Sequence, residues 1–195
     1  MTDPLLDADE IIARAREIEG PDGRLQVHDL SSWDIFPFDG TVVMQHLQDA
    51  QLPEPARHGV APGACGLCND PDNAYLWTNA NWRLKSHCAT ASLPEFILES
   101  RHHYDLHELP DNLVADLGPI TLRIERAIAS IDGVARVHIH RWGDGAEHFH
   151  LWFQARPEGM PQLRGMFMPT WMEALPPLTD DVRVAIEGHV ASQLG

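Results

Sequence analysis

The chain has 195 residues, of which 44% are hydrophobic, and its formal net charge at pH 7 is -15. We expect one hydrophobic core in a main domain, residues 61–195, preceded by an N-terminal extension, residues 1–60. The negative charge argues against a nucleic-acid polymer as partner, because such binding needs a field of Lys and Arg that releases counterions. The sequence shows neither a basic segment leading into an apolar stretch nor a run approaching the roughly 18 apolar residues of a membrane span. We therefore expect a cytoplasmic protein that does not bind membranes.

The N-terminal extension is expected to hold one helix and some short strands. Apolar residues at helical spacing between residues 4 and 19, before Gly20, predict an amphipathic helix. Short apolar runs alternate with turn residues across residues 25–47 and predict strands. The Pro-, Gly- and Ala-rich stretch at 53–63 predicts the loop that separates the extension from the main domain.

The main domain carries signals for an antiparallel sheet and two helices. Short apolar segments bounded by turn-forming residues predict strands at 75–78, 82–85 and 96–99. Apolar residues at helical spacing predict a helix between Pro110 and Asp132, and a second helix closes the chain at 179–194.

Two later segments, 137–142 and 148–153, alternate with period two and are joined by the loop 143–147, which predicts a hairpin. Alternation puts His148, His150 and Trp152 on the face opposite the core. If the hairpin closes symmetrically, the opposed pairs are Trp142 with His148, His140 with His150, and His138 with Trp152. A slip of one residue would break this arrangement.

A sheet face that carries four imidazoles contributes little to a hydrophobic core. A single histidine on a strand is more often a satisfied surface residue than a catalyst. The cluster of His138, His140, His148 and His150 therefore favours a functional site.

The three cysteines include the pair Cys65-Gly-Leu-Cys68. In a reducing compartment this spacing indicates metal or redox chemistry more than a disulfide framework. The alternative is a pair of reduced thiols that bind nothing. Cys88 is left over as a buried thiol.

The order of these motifs resembles the histidine triad superfamily over about residues 60–157. The resemblance rests on Cys-x-x-Cys, then short strands, then His102 followed by Leu106 and Leu109, then a helix, and finally the strand His148-Phe-His-Leu-Trp-Phe-Gln-Ala-Arg-Pro157. It implies an α+β fold with an antiparallel sheet of about five strands and helices packed on one face. It also implies a homodimer.

The third triad position is Trp152 instead of histidine. This departure makes the site similar to the galactose-1-phosphate uridylyltransferase branch, in which that position is glutamine. That branch carries zinc, and by motif its ligands fall on Cys65, Cys68, His102 and His148. Two thiolates and two imidazoles suit a closed, structural tetrahedral Zn²⁺ site. His103 and His107 are alternatives to His102.

The resemblance implies that His150 attacks the α-phosphorus of a nucleotide, held in the correct tautomer by the backbone carbonyl of His148. His140 is either a general acid for the leaving group or a solvated strand residue. Trp152, Arg141 and Arg156 are the expected substrate-binding residues.

The expected function is hydrolysis of a nucleoside polyphosphate or nucleotide conjugate, or transfer of its nucleotidyl group, through a nucleotidyl-histidine on His150. The alternative is a catalytically weak, zinc-stabilised nucleotide-binding or interaction module, motivated by Trp152 and by the scarcity of cations. A third hypothesis is a zinc hydrolase with a metal-bound water, which would need one of the four metal ligands to be absent.

Overall fold

A computed structural model describes residues 7–26 and 32–195. The chain forms two compact units, Met1–Ala56 and Arg57–Gly195. No helix in the described part of the chain is long and apolar enough to cross a membrane.

In the N-terminal unit the predicted helix is formed as α1, Ala8–Glu17. The Asp7 side chain accepts a hydrogen bond of 3.0 Å from the Glu10 N–H and caps its first turn. Residues 4–6 of the predicted helix lie outside the described residues. The short strands predicted at 25–47 are not formed where that range is described. Val42, Val43 and Met44 are exposed there, because a strand needs a paired neighbour and a face to bury, and the apolar pattern alone supplies neither.

The second unit contains a five-stranded antiparallel sheet in the order β1-β2-β3-β5-β4. Its strands are β1 Trp77–Thr78, β2 Trp82–Ser86, β3 Glu95–Ser100, β4 Val134–His140 and β5 His150–Pro157. The strand β5 lies between β3 and β4. The predicted α+β fold with about five antiparallel strands is confirmed.

Helices α2 Gly66–Asn69, α3 Asp111–Ala129, α4 Met168–Ala174 and α5 Asp180–Leu194 complete this unit. Helices α3 and α5 cover one sheet face with a core that includes Phe96, Phe153, Ile124 and Val190, all 0% exposed. Each such side chain contributes about 1.5–3 kcal/mol by leaving water. The apolar face of the sheet therefore packs against the helices and stabilises the fold, and the opposite face carries the polar side chains.

The β4–β5 hairpin differs from the predicted register by two residues. His140 lies opposite Trp152 and His138 opposite Gln154, where the symmetric hairpin had placed His140 opposite His150. The loop is longer because residues from outside the hairpin take its backbone hydrogen bonds. The His58 N–H donates to the Gly145 carbonyl at 2.8 Å, and the Phe149 N–H donates to the Tyr104 carbonyl at 2.6 Å. A shift of two keeps every side chain on its predicted face.

Candidate metal centre and active site

Cys65, Cys68, His103 and His148 form a cluster whose potential ligand atoms all lie within 4.8 Å of one another. The His148 Nδ1 atom lies 3.5 Å from the Cys65 Sγ atom and 3.4 Å from the Cys68 Sγ atom. The His103 Nδ1 atom lies 3.4 Å from the Cys68 Sγ atom. A tetrahedral zinc ion, with bonds of about 2.3 Å to sulfur and about 2.0–2.1 Å to nitrogen, places such atoms about 3.6 Å apart. The donor atoms and their spacing fit a metal ion.

Three separate segments bring these four residues together. Cys65 is the N-cap of the short helix α2, which carries Cys68 in its first turn. His103 follows β3, and His148 directly precedes β5. Gly59 packs against this turn with φ +70°, and a Cβ atom there would lie 3.1 Å from the Cys65 Cα atom. Only glycine combines that backbone conformation with that close approach.

The hydrogen bonds of His148 leave its Nδ1 lone pair directed at the thiols. Its Nε2 lies 2.7 Å from the Ser100 carbonyl oxygen and donates to it, which fixes the tautomer. Burial lowers the pKa of this fully enclosed imidazole, so the ring is held neutral. Burial, followed by a hydrogen bond from Cys65, raises the pKa of Cys68 to about 11. Two thiolates in this position therefore require a cation beside them.

The cluster contains His103, which was an alternative to the predicted ligand His102, and it does not contain His102. His102 is exposed and outside the cluster, and His107 is exposed with its ring 3.4 Å from Asp105. The chain leaves the sheet after Ser100, so strand alternation no longer sets side-chain direction there, and the leucine spacing could not choose between adjacent histidines. The second nitrogen of His103, Nε2, is buried without a hydrogen-bond partner in the described part of the chain.

His150 is the first residue of β5 and lies half-buried on the polar sheet face. Its Nδ1 is 2.8 Å from the carbonyl oxygen of His148. Because a carbonyl only accepts, Nδ1 carries a proton, and the neutral form of the ring then has its free lone pair on Nε2. The same residue thus offers its side chain to the metal cluster and its carbonyl to His150.

His140 and Trp152 lie side by side on the polar face. Their rings are parallel within 5°, with centroids 6.3 Å apart, and the His87 ring meets Trp152 edge-on at 5.3 Å. Burial, followed by the neighbouring charge of His138, lowers the pKa of His140. His140 and His150 are diagonal neighbours across two strands, at the roughly 7–8 Å typical of such pairs.

Neither arginine predicted to bind substrate is placed at His150. Arg141 forms an ion pair with the buried Asp105, which Arg57 also contacts at 2.8 Å. Arg156 lies on the same face as His150 but six residues further along β5, about 20 Å at 3.3 Å per residue. The Arg156 guanidinium donates to the Met160 carbonyl, and Arg141 pairs with Asp105, so both arginines contact loops beside the sheet.

Comparison with solved structures relates this architecture to proteins of known fold. A histidine triad protein from Bradyrhizobium japonicum is similar over 62% of this chain and 90% of that chain, with a TM-score of 0.51 and 18% sequence identity. The chain has the histidine triad fold. A histidine triad protein from Sinorhizobium meliloti matches with a TM-score of 0.49 and 18% identity, over 61% of this chain and 87% of that chain. A zinc-bound histidine triad family protein from Mycobacterium smegmatis matches with a TM-score of 0.46 and 17% identity, over 68% of this chain and 96% of that chain. No family model and no curated protein matches the sequence.

Within this histidine triad fold, the sequence analysis did not identify a buried charged pair that lies between the metal cluster and His150. Arg83 and Glu99 are 3% and 1% exposed and lie 4.0 Å apart. Glu99 accepts a hydrogen bond of 2.8 Å from the Tyr75 hydroxyl and sits opposite His150 in the sheet register. Arg83 donates to the Leu67 carbonyl at 2.8 Å and to the Asp70 carbonyl at 3.2 Å. Both carbonyls belong to residues 65–70, which are called the cysteine turn below.

The signal for this group was present in the strand pattern. In both strands, Arg83 and Glu99 alternate with residues that face the core. Two opposite charges on the same polar face of two strands indicate a cross-strand pair. The partner of each residue depends on the strand order, which the sequence did not establish.

Proposed function

We propose that the chain is a zinc-containing nucleotide hydrolase or nucleotidyltransferase that acts through His150. The observation that carries the proposal is the 2.8 Å hydrogen bond between the His150 Nδ1 atom and the His148 carbonyl. It holds the imidazole in the one tautomer that presents a lone pair at Nε2, and it stops the ring from rotating. An imidazole that is held in this tautomer on the polar sheet face has the arrangement that nucleophilic attack on phosphorus requires.

The proposed reaction has two displacements. The His150 Nε2 lone pair forms a bond to the α-phosphorus of a nucleoside polyphosphate or nucleotide conjugate, and the bond from phosphorus to the leaving-group oxygen breaks with its electron pair. The His148 carbonyl stabilises the positive charge that develops on the ring, because it already accepts the Nδ1 proton. Water or an acceptor phosphate then attacks the nucleotidyl-histidine and releases His150.

We further propose zinc as the metal of the cluster formed by Cys65, Cys68, His103 and His148. Two thiolates and two imidazoles close a tetrahedron and leave no position for a reactive water, so the ion would be structural. Bound there, it would hold His148 and thereby the carbonyl that orients His150. A set of two cysteines and two histidines supports the further proposal that the chain is related to the zinc-containing galactose-1-phosphate uridylyltransferase branch.

His140 is proposed as the residue that protonates the leaving group. It stands beside Trp152, where a third histidine would lie, and it is the imidazole diagonal to His150. Its lowered pKa leaves it mostly neutral in the free protein. A substrate phosphate next to it would favour its protonated form, because an opposite charge nearby raises the pKa of a histidine.

Trp152 favours a second candidate, a zinc-stabilised nucleotide-binding module with little turnover. An indole offers an N–H donor and a stacking face, but it cannot transfer a proton to a leaving group. The metal cluster and the His150 tautomer would be unchanged in such a module, so only a turnover measurement separates it from the enzyme.

The test combines zinc content with turnover. Elemental analysis should find about one zinc per chain in the wild type and in His102→Ala, and a loss of zinc in Cys65→Ala and His103→Ala. His102→Ala is the matched control, because it removes the adjacent imidazole without touching the cluster.

Wild-type protein should then release phosphate-containing products from diadenosine tetraphosphate, UDP-glucose or adenosine phosphoramidate, and His150→Ala should not. Measurable binding of intact substrates without turnover would favour the module. Turnover that His150→Ala leaves unchanged would contradict the proposed function.

We also propose that the protein forms a homodimer, as the resemblance to histidine triad proteins implies. Sedimentation equilibrium should give about twice the chain mass of 21.8 kDa. A single chain mass at micromolar concentration would contradict this proposal.

A further inference from the structure

The cysteine turn is a short segment that cannot hold its own shape. Its helix α2 has four residues, Gly66–Asn69, whereas isolated helices shorter than about 12–15 residues are marginal in water. The Sγ atoms of Cys65 and Cys68 nevertheless lie within 4.8 Å of each other and of the ligand atoms of both histidines in the cluster. Contacts with the rest of the domain therefore set the positions of the two thiols.

Arg83 of β2 makes two of these contacts through two different nitrogen atoms. Its Nη2 atom donates to the Leu67 carbonyl at 2.8 Å, and its Nη1 atom donates to the Asp70 carbonyl at 3.2 Å. The two carbonyls lie on either side of Cys68 in the chain. A planar guanidinium group holds two acceptors at a fixed spacing, which a compact ammonium group does not. Arg83 therefore fixes the backbone that carries the Cys68 thiol.

The guanidinium group is itself held in one place. Its central carbon lies 4.3 Å from the centre of the Tyr75 ring, and its Nη2 atom lies 4.0 Å from the Glu99 carboxylate. The Tyr75 hydroxyl donates to the same carboxylate at 2.8 Å, so the three side chains form one unit. Because Arg83 is 3% exposed, these contacts are made away from water, where hydrogen bonds and charge contacts are stronger.

This unit connects the two halves of the metal cluster. The thiols lie on the cysteine turn, and both histidines depend on the end of β3. His103 follows β3 in the chain, and the Ser100 carbonyl accepts a hydrogen bond of 2.7 Å from the His148 Nε2 atom. Glu99 directly precedes Ser100 on this strand. The contact between Arg83 and Glu99 therefore sets the spacing between the thiols and the imidazoles.

We propose that Arg83 is a positioning residue of the metal centre, which holds the cysteine turn at the distance from β3 that a tetrahedral metal ion needs. This role rests on the metal cluster of the proposed function and is independent of the reaction at His150. The two hydrogen bonds from Arg83 to the turn act on metal affinity. The ion pair between Arg83 and Glu99 acts on the stability of the fold.

Two variants separate the hydrogen bonds from the charge. Arg83→Met/Glu99→Gln removes one positive and one negative charge together, so the net charge beside the metal is kept while both hydrogen bonds to the turn are lost. Glu99→Gln alone breaks the ion pair and keeps those hydrogen bonds. Lys85→Met is the matched control on the same face of β2, since Lys85 reaches the turn through the Asp70 carboxylate at 2.7 Å.

Zinc dissociation constants are measured by competition with a chromophoric chelator, under conditions in which tryptophan fluorescence shows each variant to be folded. The double variant should bind zinc about 10- to 100-fold more weakly than the wild type, the range for loss of a partner that orients metal ligands. Glu99→Gln and Lys85→Met should bind zinc as the wild type does. Wild-type affinity in the double variant, or an equal loss of affinity in Glu99→Gln, would overturn the role of Arg83.

Cobalt in place of zinc tests the geometry of the site, because the visible absorption of Co²⁺ depends on the arrangement of its ligands. The wild type and Glu99→Gln should give the same spectrum, and the double variant a weaker or shifted one. A wild-type spectrum in the double variant would overturn the proposal.

The wild-type protein separates failure of this role from failure of the proposed function. If the wild type binds neither zinc nor Co²⁺, the proposed metal site fails, and the role of Arg83 fails with it. If the wild type binds zinc but turns over no nucleotide, the reaction at His150 fails, and the zinc affinities of the variants still decide the role of Arg83.

Discussion

Replacing Arg83 by Met should destabilise the protein more than any surface substitution, because Arg83 neutralises a carboxylate that the sheet buries. Glu99 is 1% exposed and lies 4.0 Å from the guanidinium group. Arg83 also donates to two carbonyls of the cysteine turn, at Leu67 and Asp70. Met keeps most of the volume and removes the charge and all these hydrogen bonds.

The expected loss follows from the burial of the pair. Removing one partner of a buried ion pair costs about 3–5 kcal/mol, because the other charge is left without compensation. At about 2–4 °C per kcal/mol for a chain of this size, Tm should fall by roughly 6–20 °C. The Glu99→Gln change in the Arg83→Met background should recover part of the loss, since it removes the orphaned charge.

The matched control is Lys85→Met, two residues further along the same face of β2. Lys85 contacts Asp70 at 2.7 Å, and both side chains are about one-third exposed, so this pair contributes about 0–1 kcal/mol. Burial raises the pKa of Glu99, and Lys85 lowers it, as Arg83 does, so Lys85→Met removes a positive charge near Glu99 while the buried guanidinium and its hydrogen bonds stay. Urea unfolding of zinc-loaded protein, followed by tryptophan fluorescence, gives the free energies of unfolding. If Arg83→Met lowers the free energy of unfolding by no more than Lys85→Met does, the buried pair does not stabilise the fold.

Three further predictions concern the metal turn and the histidine face. Gly59→Ala should weaken zinc binding, because φ +70° and a 3.1 Å approach to Cys65 both oppose a Cβ atom. Competition with a chromophoric chelator measures the change in affinity. The control is Gly118→Ala, whose Cβ atom would meet nothing within 4 Å, and it should bind zinc as the wild type does. Burial lowers the pKa of His138 below the value of about 6.5 in the unfolded chain, so the unfolded state binds more protons and the free energy of unfolding should fall as the pH drops below about 6.5. Urea unfolding between pH 5 and 8 should show a shallower slope for His138→Gln, and an unchanged slope would contradict this assignment. Asp105→Ala should loosen the hairpin loop, because it leaves Arg141 without its carboxylate; faster amide exchange at residues 143–147 checks this, and wild-type exchange rates there would refute it.

The parts of the site that depend on strand alternation could be predicted from the sequence. Period-two patterns placed His150 and Trp152 on the face opposite Phe153, and the sheet bears this out, since Phe153 is fully buried in the core. That parity survives a register shift of two, so His138 and His140 keep their predicted face although His140 lies opposite Trp152 and His138 opposite Gln154.

Contacts between segments that are distant in sequence determine the hairpin register and the histidine that joins the cluster, and neither could be predicted from the sequence. The hairpin register depends on His58 and Tyr104, which take backbone hydrogen bonds of the loop. The choice of His103 over His102 depends on how the chain bends after Ser100, next to His148. Neither contact can be read from the local sequence pattern of the residues that it positions.

Covalent nucleotidylation of His150 is the step that the proposed function requires, and intact mass spectrometry detects it directly. Zinc-loaded protein is mixed briefly with diadenosine tetraphosphate, quenched without acid and digested to locate the modification. We expect a nucleoside monophosphate on His150 that appears before free nucleoside monophosphate accumulates, and no such adduct on His150→Ala. Turnover without any adduct, or an adduct on another histidine that persists in His150→Ala, would contradict it.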